Sequence, residues 1–206
     1  MAIDLWNAAL CTPDDVKALL RPREVLSTQW DEALIFLINA FSRAMEGPRF
    51  LNRALEYRER TDTFHGGTTY VRVQAPPIDR GQLLEVWDDP GWTFDPESAL
   101  ILNSDFYLSA GDAHVVRAGT FFQDGLESVR VHYVGGLVDH ANERWPPDDL
   151  RSAAAMQVAF WHQRRETMGL TQVNAPGGGA FVVKEPSQLL PWVTLAIQTY
   201  RIFECN

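Results

Sequence analysis

The sequence contains few residue groups that could perform acid–base or metal chemistry. Its five histidines are His65, His114, His132, His140 and His162. No two of them are four residues apart, the spacing that places two zinc ligands on one helix face, and no cysteine accompanies them. We therefore expect structural roles for the histidines and predict no metal site and no cofactor.

The remaining candidates for catalysis are isolated acids and a glycine run. Asp139 directly precedes His140, but adjacent side chains rarely face each other. Glu85 and Asp88 could serve as the two carboxyl groups of a glycoside hydrolase, although the sequence does not fix their separation. The glycines at 177–179 lack the Lys and Ser/Thr of a phosphate-binding loop and indicate a flexible linker. We predict no catalytic residues and no enzyme activity.

Seven aromatic residues in the middle of the chain could line a sugar-binding surface or pack against other subunits. They are Trp87, Trp92, Phe94, Phe106, Tyr107, Phe121 and Phe122. Trp and Tyr favour interfaces because they bury a large apolar area and keep a polar atom at the tip. We expect some of the seven in the core and the rest against neighbouring subunits, with a carbohydrate-binding or hydrolase module as the alternative.

Composition favours a folded, acidic protein. The 206 residues include 46% hydrophobic residues and no apolar run long enough to span a membrane. The net charge is −9, with 27 acids against 18 Lys and Arg. This balance argues against a protein that grips nucleic acid, because such affinity comes mainly from basic side chains on phosphates. Two cysteines, near opposite ends, make no disulfide framework and suit a reducing compartment.

The first predicted helix has clear boundaries. Thr12 can cap it, Pro13 suits its first position, and Asp15 stands where a capping-box partner belongs. It should end near Leu20 because Pro22 disfavours a helical residue before it.

The second predicted helix carries the strongest helical pattern in the chain. It should start at Thr28, with Asp31 as the capping-box partner, and end at Gly47. Its apolar residues are Trp30, Leu34, Leu37, Phe41 and Met45, widened by Ile35, Phe36 and Ile38. So wide a face predicts burial on two sides, against its own domain and against another molecule.

The sequence from about residue 55 to residue 134 predicts an antiparallel β region. Candidate strands lie at 69–74, 83–87, 99–102, 106–108, 113–117 and 129–134. The sequence at 65–67 predicts a hairpin turn, and that at 88–91 a turn between strands.

A strand, a glycine pair and a helix then follow in succession. Residues 129–134 alternate as a half-buried strand does, and Gly135 and Gly136 release the backbone from it. Pro147 and Asp148 start an amphipathic helix that should end near Gly169. Beyond it, a linker, a short apolar strand and a last helix from Ser187 could form an arm that reaches another surface or could fold back on the same domain.

Several segments together resemble the head–tail connector (adaptor) proteins of long-tailed bacteriophages and related gene transfer particles. They are Thr-Pro-Asp-Asp-Val-Lys-Ala-Leu-Leu from Thr12, the long second helix, Val-Arg-Val-His-Tyr-Val-Gly-Gly from Val129, Pro-Asp-Asp-Leu-Arg-Ser-Ala-Ala from Pro147, and Trp-His-Gln-Arg-Arg-Glu from Trp161. Each motif is weak alone, but their order and spacing over roughly residues 10–170 are moderately specific.

The resemblance implies an α+β fold, a small helical bundle with an antiparallel β insertion and an extended C-terminal arm. The expected regions are 1–54 for the N-terminal helices, 55–134 for the insertion, 135–170 for the last bundle helix, and 171–206 for the arm. The insertion is longer than in the smallest adaptors, and the last helix is well developed.

The resemblance also implies a function without catalysis. Such adaptors form a ring, usually of twelve copies, beneath the portal at the virion neck, extend the DNA channel and carry the stopper or tail-completion protein. Double-stranded DNA would pass without specific binding, no membrane would be involved, and the protein would be made in the host cytoplasm. Another neck protein, such as a stopper, is the alternative.

The expected contact residues follow from this assignment. Portal binding is assigned to the arm residues Phe181, Val182, Val183, Leu189, Leu190, Trp192 and Tyr200. Packing between copies in the ring is assigned to Phe36, Ile38 and Phe41 on the second helix.

Overall fold

The computed structural model describes residues 3–20, 30–109, 111–164, 172–174, 180–182 and 189–201. The chain divides into a helical unit, Met1–Asn52 with Trp145–Asn206, and a β unit, Arg53–Arg144. The predicted α+β class is confirmed. Within the described ranges, every helix is too short or too polar to cross a membrane.

Among the described residues, the two units contain four helices and eight strands. The helices are α1 (Pro13–Lys17), α2 (Asp31–Met45), α3 (Asp148–Gln163) and α4 (Pro191–Tyr200). The strands are β1 (Arg58–Phe64), β2 (Tyr70–Arg72), β3 (Leu84–Asp88), β4 (Phe106–Leu108), β5 (His114–Arg117), β6 (Val129–Gly135), β7 (Gln172–Asn174) and β8 (Ala180–Val182). Short 3₁₀ turns lie at Pro96–Ser98 and His140–Asn142.

The start of α1 agrees with the prediction in each detail. The Thr12 hydroxyl accepts a hydrogen bond from the Asp15 backbone N–H, and the Asp15 carboxylate accepts one from the Thr12 backbone N–H at 2.8 Å. This reciprocal capping satisfies two donors that the first turn leaves unpaired. The helix ends at Lys17, slightly earlier than Leu20.

The start of α2 differs from the prediction. The helix begins at Asp31 with Trp30 as N-cap, and no side chain caps it. Thr28, the predicted cap, lies outside the described residues. Asp31 does not act as the capping-box residue that we expected. Its carboxylate instead pairs with the Lys17 ammonium at 2.6 Å. This ion pair joins the first two helices.

The core of the helical unit lies between α2, α3 and α4. Leu34, Ile38, Phe41 and Met45 recur at helical spacing and are buried from α2, as the periodicity predicts. From α3, the buried set is Leu150, Ala153, Ala154, Ala155, Val158 and Ala159. The small alanines let neighbouring helices approach α3 closely. The segment before α1 packs along α2, where the Leu10 N–H donates to the buried Ser42 hydroxyl at 2.9 Å.

The β unit contains two three-stranded antiparallel sheets. Their strand orders are β1-β6-β3 and β2-β5-β4. Strand β6 alternates fully between buried and half-buried positions, as its sequence predicts. Buried residues of both sheets, including Val71, Phe106, Val115, Val131 and Tyr133, form one apolar core.

Strand β1 was not among the predicted strands. Its sequence, Arg-Glu-Arg-Thr-Asp-Thr-Phe, is almost wholly polar, and the residue that it buries is Asp62. It pairs with β6, with Arg58 opposite Gly135 and Phe64 opposite Val129. The predicted hairpin at 65–67 is therefore wrong, because this turn carries the chain from one sheet to the other. The predicted strand at 99–102 is reduced to a single bridge at Leu102.

A buried polar cluster holds β1 against the turn after β2. The Tyr133 hydroxyl donates to the Asp62 carboxylate at 2.8 Å, and the Gln74 backbone N–H donates to the same oxygen at 2.8 Å. The Ala75 backbone N–H in turn donates to the Tyr133 hydroxyl at 3.0 Å. Burial, and then the Asp62 carboxylate, raise the pKa of Tyr133 far above its ordinary value, so it stays a hydrogen-bond donor.

Candidate functional site

The helical unit presents an open apolar groove beside α2, called here the Phe36 groove. It holds about 380 Å³ and is lined by Ile3, Glu32, Ala33, Phe36, Leu37, Trp161 and His162. The Phe36 ring is 59% exposed, although it is a large apolar side chain. Trp161 is held in place by an edge-on contact with the buried Phe41 ring, with centroids 5.6 Å apart. The Phe36 groove is therefore an apolar surface that several packed side chains build, and it does not depend on Phe36 alone.

A second groove lies between α3 and α4, called here the Trp192 groove. It holds about 340 Å³ and is lined by Asp149, Ser152, Ala153, Met156, Trp192, Leu195, Ala196 and Thr199. Trp192 is 71% exposed and Leu195 is 56% exposed. Trp192, Leu195 and Thr199 follow one another at i, i+3 and i+7, so they share one face of α4.

The two grooves use opposite sides of α3. Ser152 lines the Trp192 groove and Trp161 lines the Phe36 groove. They are nine residues apart, about two and a half helical turns, so their side chains leave the helix in opposite directions. The helical unit thus offers two separate apolar surfaces.

Helix α4 packs against the other helices of its own chain. Val193 is fully buried and Ile197 is 4% exposed. The Leu190 backbone N–H donates to the Gln157 side-chain oxygen at 2.8 Å, ahead of the first turn. At the other end, the Tyr200 hydroxyl donates to Asp149 at 2.7 Å, and burial together with this carboxylate raises the pKa of Tyr200 to about 12.

The residues predicted for portal binding are divided by this arrangement. Trp192 is exposed in its groove, Tyr200 is engaged with Asp149, and Leu189 and Leu190 lead into α4 half-buried. Phe181 and Val182 belong to β8, which pairs with β7. Val183 lies outside the described residues.

The three residues predicted for packing between copies are also divided. Ile38 and Phe41 are 0% and 1% exposed, because they fill the core of their own unit. Phe36 remains available on the surface. Sequence reasoning missed Leu195, which the i, i+3 spacing from Trp192 could have identified.

An ion pair and a buried thiol lie beside α1. Two guanidinium nitrogens of Arg151 contact the two Asp15 oxygens at 2.9 and 2.8 Å, joining α3 to α1. Burial disfavours the Asp15 carboxylate, but hydrogen bonds from Arg151 and Thr12 outweigh it and hold the pKa of Asp15 below its ordinary value. Burial, and then nearby Asp15, raise the pKa of Cys11 to about 12, so its sulfur is a protonated thiol at neutral pH.

Replacing Arg151 by Met should destabilise the helical unit by about 1 kcal/mol at pH 7, since a partly exposed charge-assisted pair is lost. The folded-state pKa of Asp15 is lowered, so the stability that the pair adds is present above the unfolded pKa of about 4 and is lost as the pH falls through the folded value. Urea unfolding of both proteins at pH 7 and at pH 3 should show the difference shrinking.

Arg58→Met is the matched control for this ion pair. The Arg58 side chain is 58% exposed and its guanidinium pairs with the Glu56 carboxylate at 3.1 Å. We expect a change below about 0.5 kcal/mol, as is usual for exposed pairs. An equal loss in both variants, or a difference that grows on acidification, would contradict the role given to Asp15.

The histidines and acids singled out in the sequence have structural contacts. His132 lies on β6 between Glu59 of β1 and Glu85 of β3, at 2.7 and 3.4 Å. Asp88 accepts a hydrogen bond from the Gln123 backbone N–H at 2.8 Å. Glu85 and Asp88 are three residues apart on β3 and so point to opposite faces of its sheet. His162 packs edge-on against the Trp30 ring. No group of three metal-ligating side chains occurs in the described part of the chain.

The predicted turn after β3 is confirmed and is organised by Asp89. Its carboxylate accepts backbone hydrogen bonds from Gly91, Thr93 and Phe94 at 2.8–2.9 Å. The Thr93 hydroxyl donates to it as well, and these donors lower the pKa of Asp89 to about 2.

The prediction that some of the seven aromatics lie in the core is confirmed, and the packing of the others against neighbouring subunits stays a prediction. Trp87, Phe94, Phe106 and Phe122 are buried, whereas Trp92, Tyr107 and Phe121 are 58%, 48% and 63% exposed.

Comparison with known proteins finds similarity of fold alone. No family model and no curated protein matches the chain. Solved structures do, across nearly its whole length. A chain from the neck of a native GTA particle, computed with C12 symmetry, has a TM-score of 0.54 at 15% identity, covering 99% of this chain and 94% of that one.

Two further structures agree with it. A chain from the neck of an empty GTA particle, computed with C6 symmetry, has a TM-score of 0.56 at 16% identity. A chain from the virion of a native gene transfer agent (GTA) particle has a TM-score of 0.57 at 15% identity. Each covers 99% of this chain and 95% of its own. The protein therefore shares its fold with chains of gene transfer agent particles.

Proposed function

We propose that this chain is a structural protein of the neck of a phage-like particle, and specifically a head–tail adaptor that forms a ring beneath the portal. The observation that carries the proposal is the similarity of fold, over 99% of the chain, to chains of the GTA neck. Similarity that extends over both the helical and the β unit is stronger support than a shared helical bundle alone would be.

The surfaces of the helical unit support a role in assembly. Large exposed apolar patches on a soluble protein, especially those rimmed by polar residues, often mark sites of interaction with other molecules. Here Phe36, Trp192 and Leu195 are each more than half exposed and line formed grooves. The proposal explains this exposure, since all three would be covered in a particle.

The charge supports a conduit for DNA. A protein that neutralises 6–10 phosphates loses about 10³–10⁵ in affinity between 50 and 200 mM salt, which shows how strongly such contacts hold DNA. A channel that must release a genome has to avoid them. The net charge of −9 is consistent with passage of double-stranded DNA without specific binding.

Contacts along the neck complete the proposal. The portal would be engaged by the C-terminal arm, residues 171–206, and the stopper or tail-completion protein would attach on the other side of the ring. Because α4 is seated on its own bundle through Val193 and Ile197, we assign the portal contact primarily to the part of the arm before α4. Many copies acting together in a ring raise the effective concentration of the arms at the portal, which strengthens binding without any further contact.

Electron microscopy of particles from the source organism tests the proposal. With an epitope tag on the chain, antibody label should lie at the single vertex between capsid and tail, and loss of the gene should leave filled heads without tails. Purified chain mixed with purified portal should add a ring of density. A ring that forms on the next neck component but never on the portal would identify a stopper, and normal tailed particles lacking the chain would refute a neck role.

A further inference from the structure

The two apolar grooves of the helical unit raise the question of what covers them. An isologous dimer on either groove buries that groove in both copies and leaves the other open. A head-to-tail contact places the Trp192 groove of one copy against the Phe36 groove of the next. Repeated around a closed ring, it covers both grooves in every copy.

We propose that these grooves are the two halves of one heterologous interface between copies of this chain. The inference rests on the proposed function, because a head-to-tail contact that repeats from copy to copy can close into the ring that we propose. Trp192 and Leu195 project from α4 of one copy into the groove formed by Phe36, Leu37 and Trp161 of its neighbour. Trp192 is thereby assigned to the contact between copies rather than to the portal.

The position of the grooves supports this pairing. Ser152 and Trp161 leave α3 on opposite sides, so the grooves face away from each other within one helical unit. Surfaces that face opposite ways are what a head-to-tail contact requires, whereas adjacent surfaces would favour closure into a dimer. Both are pre-formed, since Val193 and Ile197 fix α4 and the buried Phe41 ring fixes Trp161.

The chemistry of the grooves is also matched. Five of the seven residues that line the Phe36 groove and five of the eight that line the Trp192 groove are apolar, and both linings include large aromatic rings, the residue type enriched at interface cores. Each lining also contains one acid, Glu32 in one groove and Asp149 in the other, and the Asp149 carboxylate already accepts a hydrogen bond from the Tyr200 hydroxyl. The proposed contact therefore buries aromatic rings from both grooves.

The test uses two variants of the full-length chain, Phe36→Asp and Trp192→Asp. Each places a carboxylate in one groove and leaves the other intact. Wild-type protein should form oligomers larger than dimers as its concentration rises in sedimentation velocity. Each variant alone should be monomeric, because each lacks one half of the contact. Their equimolar mixture should form dimers and nothing larger, since only one productive contact can be made per pair.

The controls separate the interface from folding and from general hydrophobicity. Both side chains are exposed, so circular dichroism and melting temperature should match the wild type. Phe121→Asp, at a ring 63% exposed in the β unit, should oligomerise as the wild type does. Dimers of either variant alone, a mixture that stays monomeric, or a wild type that is monomeric at every soluble concentration would each overturn the pairing.

The pairing and the neck role can fail separately. A chain found at the neck whose variants do not complement each other would refute this interface and leave the proposed function standing. Complementation by a chain absent from the neck would refute the proposed function and leave the interface standing.

Discussion

A Gly136→Ala protein is expected to be less stable than the wild type by about 4 kcal/mol, a large part of the 5–15 kcal/mol that a domain has. Gly136 has a φ of 126°, a conformation essentially confined to glycine, which costs about 1–3 kcal/mol for other residues. A Cβ at this position would also collide with the main chain, at the Glu56 carbonyl and the Tyr57 nitrogen. Urea unfolding followed by tryptophan fluorescence measures the difference.

Gly119→Ala is the control that isolates the collision. Gly119 also has a positive φ, 68°, but nothing lies within 4 Å of a Cβ built there. We expect a loss of about 1 kcal/mol, the conformational cost alone. Equal losses at both positions would mean that the backbone near Glu56 moves aside easily, and the close approach would then not be a constraint on the fold.

The second large effect is expected for Tyr133→Phe, at about 3 kcal/mol. The change removes one oxygen atom from a side chain that is fully buried. It leaves the Asp62 carboxylate without one of its donors and the Ala75 N–H without its acceptor. Each buried polar group left unsatisfied costs about 1–3 kcal/mol. Thermal and urea unfolding should both report the loss.

Tyr107→Phe provides the same chemical change on an exposed ring. Tyr107 lies on β4 and is 48% exposed, so water replaces any lost hydrogen bond. The expected change is within about 0.5 kcal/mol. If Tyr133→Phe were as mild as this control, the polar cluster around Asp62 would not be what holds β1 in place.

Local signals were sufficient to predict several elements. Thr12 and Asp15 determine the start of α1 through side-chain contacts three residues apart, and Pro147 with two following acids determines that of α3. Alternation alone identified β6, because every other residue enters the core. In each case the deciding contact lies within a few residues or in the strand pattern itself, so a single sequence carries it.

Elements fixed by distant partners could not be predicted in this way. The sequence of β1 is mostly polar and does not predict a strand. Its position depends on the hydrogen bond between Asp62 and Tyr133, which lies 71 positions further along the chain. Asp31 resembled a capping-box residue but is taken by Lys17 of another helix. These outcomes depend on tertiary partners, which override local preference.

Tertiary packing also decides which residues of the candidate site are exposed. The breadth of the apolar pattern on α2 predicted two buried sides, and it could not tell that Ile38 and Phe41 lie inside while Phe36 lies outside. Likewise, the apolar residues of α4 were recognised, but which of them face α3 depends on how the helix is seated. Burial of Val193 and Ile197 assigns Trp192 and Leu195 to the surface.

The β unit is one uninterrupted segment, Arg53–Arg144, placed between α2 and α3. A ribosome that adds about 5–20 residues per second therefore completes the β unit before any of α3 is made. During those several seconds, the apolar side of α2 has no α3 to pack against. The Trp192 groove also needs α4, which follows α3 in the chain, so a nascent chain carries both grooves only after α4 has been made. Under the proposed pairing, a nascent chain that has not yet made α4 cannot insert Trp192 into the Phe36 groove of another copy.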